Sequence, residues 1–203
     1  MDIGMPIRDL GRVDSAALAE AVVALDEPAW RAEEIRQKKY EDVHYDTESV
    51  ILIFCDHDNW PNIDLVKGAG WERLSHLAVP LMHDIVGRFY PKGGTIIRAM
   101  AAKLKAGKAI TPHTDHHVSF RRSHRIHVPI TTNNKVRFMI EGRPHRLRVG
   151  NAYEINNQKR HSVLNSGDED RITYIFDYVP GSRTGSRVGS HTEPRTDPHP
   201  GPH

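Results

Sequence analysis

The chain has 203 residues and a mass of 23.0 kDa, with 38% hydrophobic and 27% charged side chains and a formal net charge of +2. That length suits one domain with its own core, burying roughly 70% of the unfolded surface without disulfide staples. The near-balanced charge argues against nucleic-acid binding as the main activity, and the longest apolar run, Val50 to Cys55, falls far short of the ~20 residues of a membrane span. Cys55 is the single cysteine, which excludes an internal disulfide and a thiolate zinc cluster. Asp2, Arg8 and Asp9 interrupt the N-terminus, so no secretory signal is expected there and a reducing cytoplasm is the expected compartment. Histidine is the unusual component, with 14 copies.

In chain order, the first element is a helix. Asp14 or Ser15 can cap it, and Leu18, Val22 and Leu25 form one stripe before Pro28 ends it. Ser49 to Cys55 reads as a buried strand. Helical spacing returns at Trp71, Leu74, Ala78, Leu81, Ile85 and Phe89, with Pro80 inside the pattern, so a kink or two shorter helices are expected. After Pro91-Lys92-Gly93-Gly94 the period shortens. Apolar or alternating runs lie at 95–100, 109–113, 125–131, 135–140, 145–149, 152–156, 161–164 and 171–179, mostly separated by turn residues. Strands at this spacing predict a sandwich or barrel of jelly-roll size. The expected fold is α+β and mainly β, one domain over 1–180 with a helical part at 1–92 and a β core at 93–180. Residues 181–203 are rich in Gly, Pro, Ser, Arg and His; they cannot bury enough surface to order themselves and predict a disordered tail.

Seven histidines fall between positions 113 and 161. His113-Thr114-Asp115 would place an imidazole and a carboxylate on one face of a strand, and a second imidazole would complete a facial triad that suits oxygen-activating Fe(II). The tripeptide alone discriminates poorly, since His44-Tyr45-Asp46 also fits and reads as a polar loop. Context favours 113 and 115. His161 opens another strand after Asn156-Asn157, and Arg171 opens the last one, sharing a face with Thr173 and Ile175. An arginine beside a metal can clamp an acidic cosubstrate bidentately. In Arg125-Ile126-His127-Val128-Pro129-Ile130, Arg125 and His127 share a face that is either inward or solvated.

The order His113-x-Asp115, Arg125-x-His127, His161, Arg171 resembles the aspartyl/asparaginyl β-hydroxylase-type 2-oxoglutarate dioxygenases. Tyr153-Glu154-Ile155-Asn156-Asn157 and Asp168-Glu169-Asp170-Arg171, leading into Ile172, Phe176 and Asp177, are similar to the same family, over about 96–179 in all. The resemblance implies His113, Asp115 and His161 as Fe(II) ligands, Arg171 as partner of the oxoglutarate carboxylate, and Arg125 and His127 as further cosubstrate contacts. It also implies a double-stranded β-helix, O2 as co-reactant, and hydroxylation of an unactivated C–H bond. Some animal members have glycine where Asp115 stands, and their helical-repeat extension is not expected here. A free amino acid, a peptide or an amino-acid-derived natural product is therefore the expected substrate.

Two other readings share some of these residues. A cupin-like metal enzyme without oxoglutarate would need the triad but not Arg171. A non-enzymatic binding module would use the basic stretch Arg121 to Arg125 for an acidic partner. His116, His117 and His124 read as an exposed polar loop, and Trp30, Trp60 and Trp71 as core or lid aromatics.

Overall fold

The computed structural model describes residues 1–32, 46–55 and 60–181. The expected tail, apart from Gly181, and His44 of the alternative tripeptide lie outside the described residues. The fold is mainly β, two antiparallel sheets of a jelly roll with helices on one side. The strands are β1 (Ile7–Arg12), β2 (Thr47–Cys55), β3 (Leu65–Lys67), β4 (Thr95–Leu104), β5 (Ala109–His113), β6 (His124–Thr131), β7 (Val136–Ile140), β8 (Arg143–His145), β9 (Asn151–Ile155), β10 (His161–Asn165) and β11 (Arg171–Val179). Among the described residues the larger sheet has the order β1-β9-β6-β11-β4-β2-β3 and the smaller β5-β10-β7-β8.

The front of the chain is less helical than its sequence suggests, because β1, β2 and β3 all join the larger sheet. β1 pairs with β9 as a polar edge strand, with a register shift between Asp9 and Gly11, where Gly11 takes φ 79°. Its sequence, IRDLGR, buries only Leu10, so it carries too little alternation to announce itself. The first helix, α1 (Ala16–Val23), stops before α2 (Glu27–Arg31). Pro28 starts α2 rather than simply ending α1, since its missing N–H costs nothing in a first turn capped by Asp26.

Helix α3 (Trp71–Phe89) continues through Pro80 without division. Pro80 is exposed, so the backbone bond it removes lies on the solvent face, while Leu74, Ala78, Leu81, Met82 and Ile85 stay buried. Gly70 begins this helix against β2; a Cβ there would lie 2.6 Å from Val50 and 2.9 Å from the Ile51 carbonyl oxygen.

The central strands of the larger sheet are buried on both faces. Ile172, Tyr174, Phe176 and Tyr178 of β11, with Ile126 and Val128 of β6, pack into one core with α1 and α3. A second core, with Leu104, Phe138, Ile140, Tyr153, Ile155 and Val163, lies between the two sheets. At roughly 1.5–3 kcal/mol per fully buried large apolar side chain, these two layers supply the main drive for folding. The expected strand at 145–149 is the one β-region run that shifts, since β8 covers Arg143–His145 instead.

Candidate active site

Local pairing builds the site. β5 and β10 run antiparallel with His113 opposite His161, so two residues distant in sequence become cross-strand neighbours with ring centroids 4.3 Å apart. Asp115 lies beyond the end of β5, so it does not share a strand face with His113 as the i, i+2 argument expects. A loop delivers it instead, with its N–H donating to the Asn157 carbonyl at 3.2 Å and its own carbonyl accepting from Gln158 Nε2 at 3.3 Å. One ligand-capable atom from each of His113, Asp115 and His161 lies within 4.8 Å of the others.

The donor set suits a divalent metal. His113 Nδ1 sits 2.8 Å from the Thr111 carbonyl oxygen and His161 Nδ1 2.9 Å from that of Lys159. A carbonyl only accepts, so each Nδ1 carries a proton, and in the neutral ring the lone pair is then on Nε2. Backbone carbonyls thus set both tautomers, as they do at metal-ligating histidines generally. Burial, the largest influence, lowers the His161 pKa; Asp115 opposes it and His113 adds to it. The result favours the neutral, ligating imidazole. His113 Nε2 is 3.8 Å from Asp115 Oδ1.

Next to the triad is a cavity of about 70 Å³ bounded by both histidines, His127, Arg171, Phe138 and Val163. Arg125 and His127 face into it, while Ile126 and Val128 face the helices. That settles the orientation of β6. Arg171 is only 5% exposed, lies 5.9 Å over the Phe138 ring, and has no carboxylate partner among the described residues. Burial pushes its pKa down to about 10, so it remains a cation at neutral pH. His127 Nδ1 and Thr173 Oγ1 are buried without hydrogen-bond partners. Burial, reinforced by Arg171 and Arg125, holds the His127 imidazole well below its usual range and therefore neutral. An uncompensated buried cation costs several kcal/mol, and unpaired buried polar groups about 1–3 kcal/mol each. Such an arrangement is built to receive an anion.

Arg125 is differently placed. It donates to Asp115 Oδ2 at 2.7 Å and, through Nε and Nη2, to Asp177 at 2.8 and 2.9 Å. Asp177, Arg98 and Phe138 are site residues that sequence reasoning did not single out for a role. The signal for the first two was a charge inside an otherwise apolar strand, Ile175-Phe176-Asp177-Tyr178 and Ile96-Ile97-Arg98-Ala99. His116 is exposed. His117 instead caps α4 (Val118–Arg122), accepting from Ser119 N at 3.2 Å. His124 turns to the helix side, 2.5 Å from Glu154. Trp30 is core, beneath the Lys103 ammonium at 4.3 Å. Asn156 ties down the N-terminal segment through Asp2 and Met5.

The sequence pattern of the aspartyl/asparaginyl β-hydroxylases matches residues 17–180. Comparison with curated protein sequences gives no match. Among solved structures, the collagen prolyl hydroxylase of Paramecium bursaria Chlorella virus-1, in its 2OG complex, is 10% identical with a TM-score of 0.53, covering 88% of this chain and 97% of that one. The nickel complex of the non-heme monooxygenase ThoJ is 13% identical with a TM-score of 0.53, covering 86% and 74%. EvdMO1 is 12% identical with a TM-score of 0.55, over 87% of this chain and 48% of that one. At these identities the structural likenesses establish the fold.

Proposed function

From the premise that the chain belongs to the aspartyl/asparaginyl β-hydroxylase family, a family of 2-oxoglutarate-dependent hydroxylases, we propose that His113, Asp115 and His161 hold its Fe(II) and Arg171 its 2-oxoglutarate. We further propose a substrate that is an amino acid, a peptide or an amino-acid-derived natural product, hydroxylated at an unactivated C–H bond. The observation that carries the cosubstrate assignment is the buried, acid-free Arg171 in the cavity beside the triad. A cupin-like enzyme without oxoglutarate would have no need of Arg171 for a cosubstrate.

Held by His113, Asp115 and His161, iron would supply oxygen activation for the oxidative decarboxylation of oxoglutarate and hydroxylation of the substrate. The chain's own contributions are positional and electrostatic. His113 and His161 would present Nε2 to the metal, their Nδ1 protons held by backbone carbonyls. Asp115 supplies the anionic oxygen. Arg171 would hold the distal carboxylate through charged hydrogen bonds, each worth about 1.5–3 kcal/mol. His127, neutral and unpaired, faces the same anion with a polar ring edge. Phe138, stacked parallel to His161 at 6.3 Å, and Val163 line the cavity and would exclude water from it.

The test is an anaerobic titration with Fe(II) and then 2-oxoglutarate, followed by visible absorption. A charge-transfer band is expected in the parent, absent in His161→Ala and needing far more oxoglutarate in Arg171→Ala. Iron binding without any band in the parent would refute the cosubstrate assignment.

A further inference from the structure

A line of buried charge runs from the larger sheet to Asp115. Asp177 on β11 lies opposite Arg98 on β4 and opposite Arg125 on β6, so one carboxylate is flanked by two guanidinium groups. Asp177 is fully buried. Its Oδ1 accepts from Arg125 Nε at 2.8 Å, and its Oδ2 from Arg125 Nη2 at 2.9 Å and Arg98 Nη1 at 3.0 Å. Arg98 in turn donates to Ser119 Oγ at 2.6 Å. The Phe120 ring stacks on both guanidiniums, 4.4 Å from Arg98 and 4.5 Å from Arg125. Burial alone would raise the Asp177 carboxyl, but Arg125 and then Arg98 more than offset this and hold it ionised.

This assembly has no need to exist for stability. Buried ion networks are often matched or exceeded by apolar residues of the same volume. It does fix the Arg125 fork in one orientation, and the fork's outer nitrogen, Nη1, points at Asp115 Oδ2 over 2.7 Å. Asp115 is the one member of the triad that no strand holds. Its two oxygens are therefore inequivalent: Oδ2 is occupied by Arg125, and Oδ1 lies toward His113.

We infer that Asp177 and Arg125 are positioning residues that lock the Asp115 carboxylate in a single orientation, so that Oδ1 is the oxygen presented to the metal. The inference rests on the metal-centre reading above and gives Arg125 a task separate from the cosubstrate. Its energetic basis is preorganisation, because a loop carboxylate with free rotamers loses that freedom on binding and a clamped one has little left to lose. Removing outer partners of this kind typically weakens metal affinity about 10–100-fold.

The test is a double-mutant cycle read by Co(II) titration of the metal-free full chain, using the metal's visible absorption. Arg125→Gln is expected to weaken Co(II) binding about 10–100-fold when Asp115 is present. In an Asp115→Ala background, with no carboxylate left to orient, it should change affinity less than about two-fold. Asp177→Asn should follow Arg125→Gln in both backgrounds. Equal losses in the two backgrounds, or no loss in either, would overturn the inference, since a structural role would act regardless of Asp115. Arg125→Lys carries the same comparison if the glutamine variant does not fold, because one ammonium cannot bridge both carboxylates. His161→Ala separates the two levels of the argument. It should lose Co(II) binding, and parent-like affinity in both His161→Ala and Asp115→Ala would overturn the metal centre and this inference together.

Discussion

The two faces of β11 are built from the same nine residues and do opposite things. Toward the helices, Ile172, Tyr174, Phe176 and Tyr178 interlock with α1 and α3, with Tyr174 Oη resting on the Met82 sulfur at 3.2 Å. Toward the smaller sheet, Arg171, Thr173 and Asp177 place a cation, a hydroxyl and an anion in an equally dry setting. The first face satisfies itself. On the second, Arg171 borders a cavity with no carboxylate partner among the described residues, and Thr173 Oγ1 is buried without a hydrogen bond. Polar groups that are buried at a cost and lack partners mark where a ligand belongs.

Four substitutions and a change of pH would break or sharpen that contrast. Phe176→Ala should show the largest effect on the apolar face, destabilising by about 3–5 kcal/mol through lost contacts and a cavity; urea denaturation reads it. Arg171→Leu should separate the faces most cleanly. Oxoglutarate affinity should fall by about 2–5 kcal/mol, while the unfolding free energy stays level or rises, since a lone buried cation has been removed. Calorimetric titration and denaturation of the same preparation decide it, and a large loss of stability would mean that the cation has a structural partner.

The pH response should be smaller and belongs to the inner face. Burial, with Arg171 and Arg125, depresses the His127 pKa, and burial depresses that of His161. An unfolded imidazole binds its proton near 6.5, so below that value the unfolded state holds more protons than the native one. Stability of the metal-free protein should therefore decline as pH falls below about 6.5. Denaturation midpoints from about pH 7 to about pH 5 should show this slope, and His127→Asn should flatten it. Smallest of all is Asp26→Ala at the start of α2, where losing the bond to Ala29 N should cost about 1 kcal/mol without touching ligand affinity.

The same contrast explains what the sequence could disclose. Strand spacing after Gly94 and the alternation of Ile126, Val128 and Ile130 against Arg125 and His127 pointed to the β architecture, because a half-polar strand writes its two faces into successive residues. Cross-strand partners write nothing of the kind. His113 meets His161 only through the β5–β10 register, and their association was suggested by resemblance rather than by period. Asp115 converges from a loop, outside the reach of strand arithmetic. The Arg98–Asp177–Arg125 network depends on three strands aligning, so nothing along any one strand links the three charges. Of the two outcomes expected at Pro80, division of the helix does not occur, because its cost depends on which side of α3 meets water, and that side is set by the sheet beneath.

The facing of His113 and His161 across one ladder has a dynamic corollary. A metal held by both imidazoles would staple β5 to β10, and neither strand could slip or peel without releasing it. Occupancy would therefore set how often the smaller sheet opens. With free metal at 100 times its dissociation constant, opening that breaks the site becomes harder by about 2.7 kcal/mol. Amide hydrogens at Val163 and Ile110, which pair in this ladder, would then exchange with solvent about a hundred-fold more slowly in the loaded protein, while those between β4 and β11 would hardly notice.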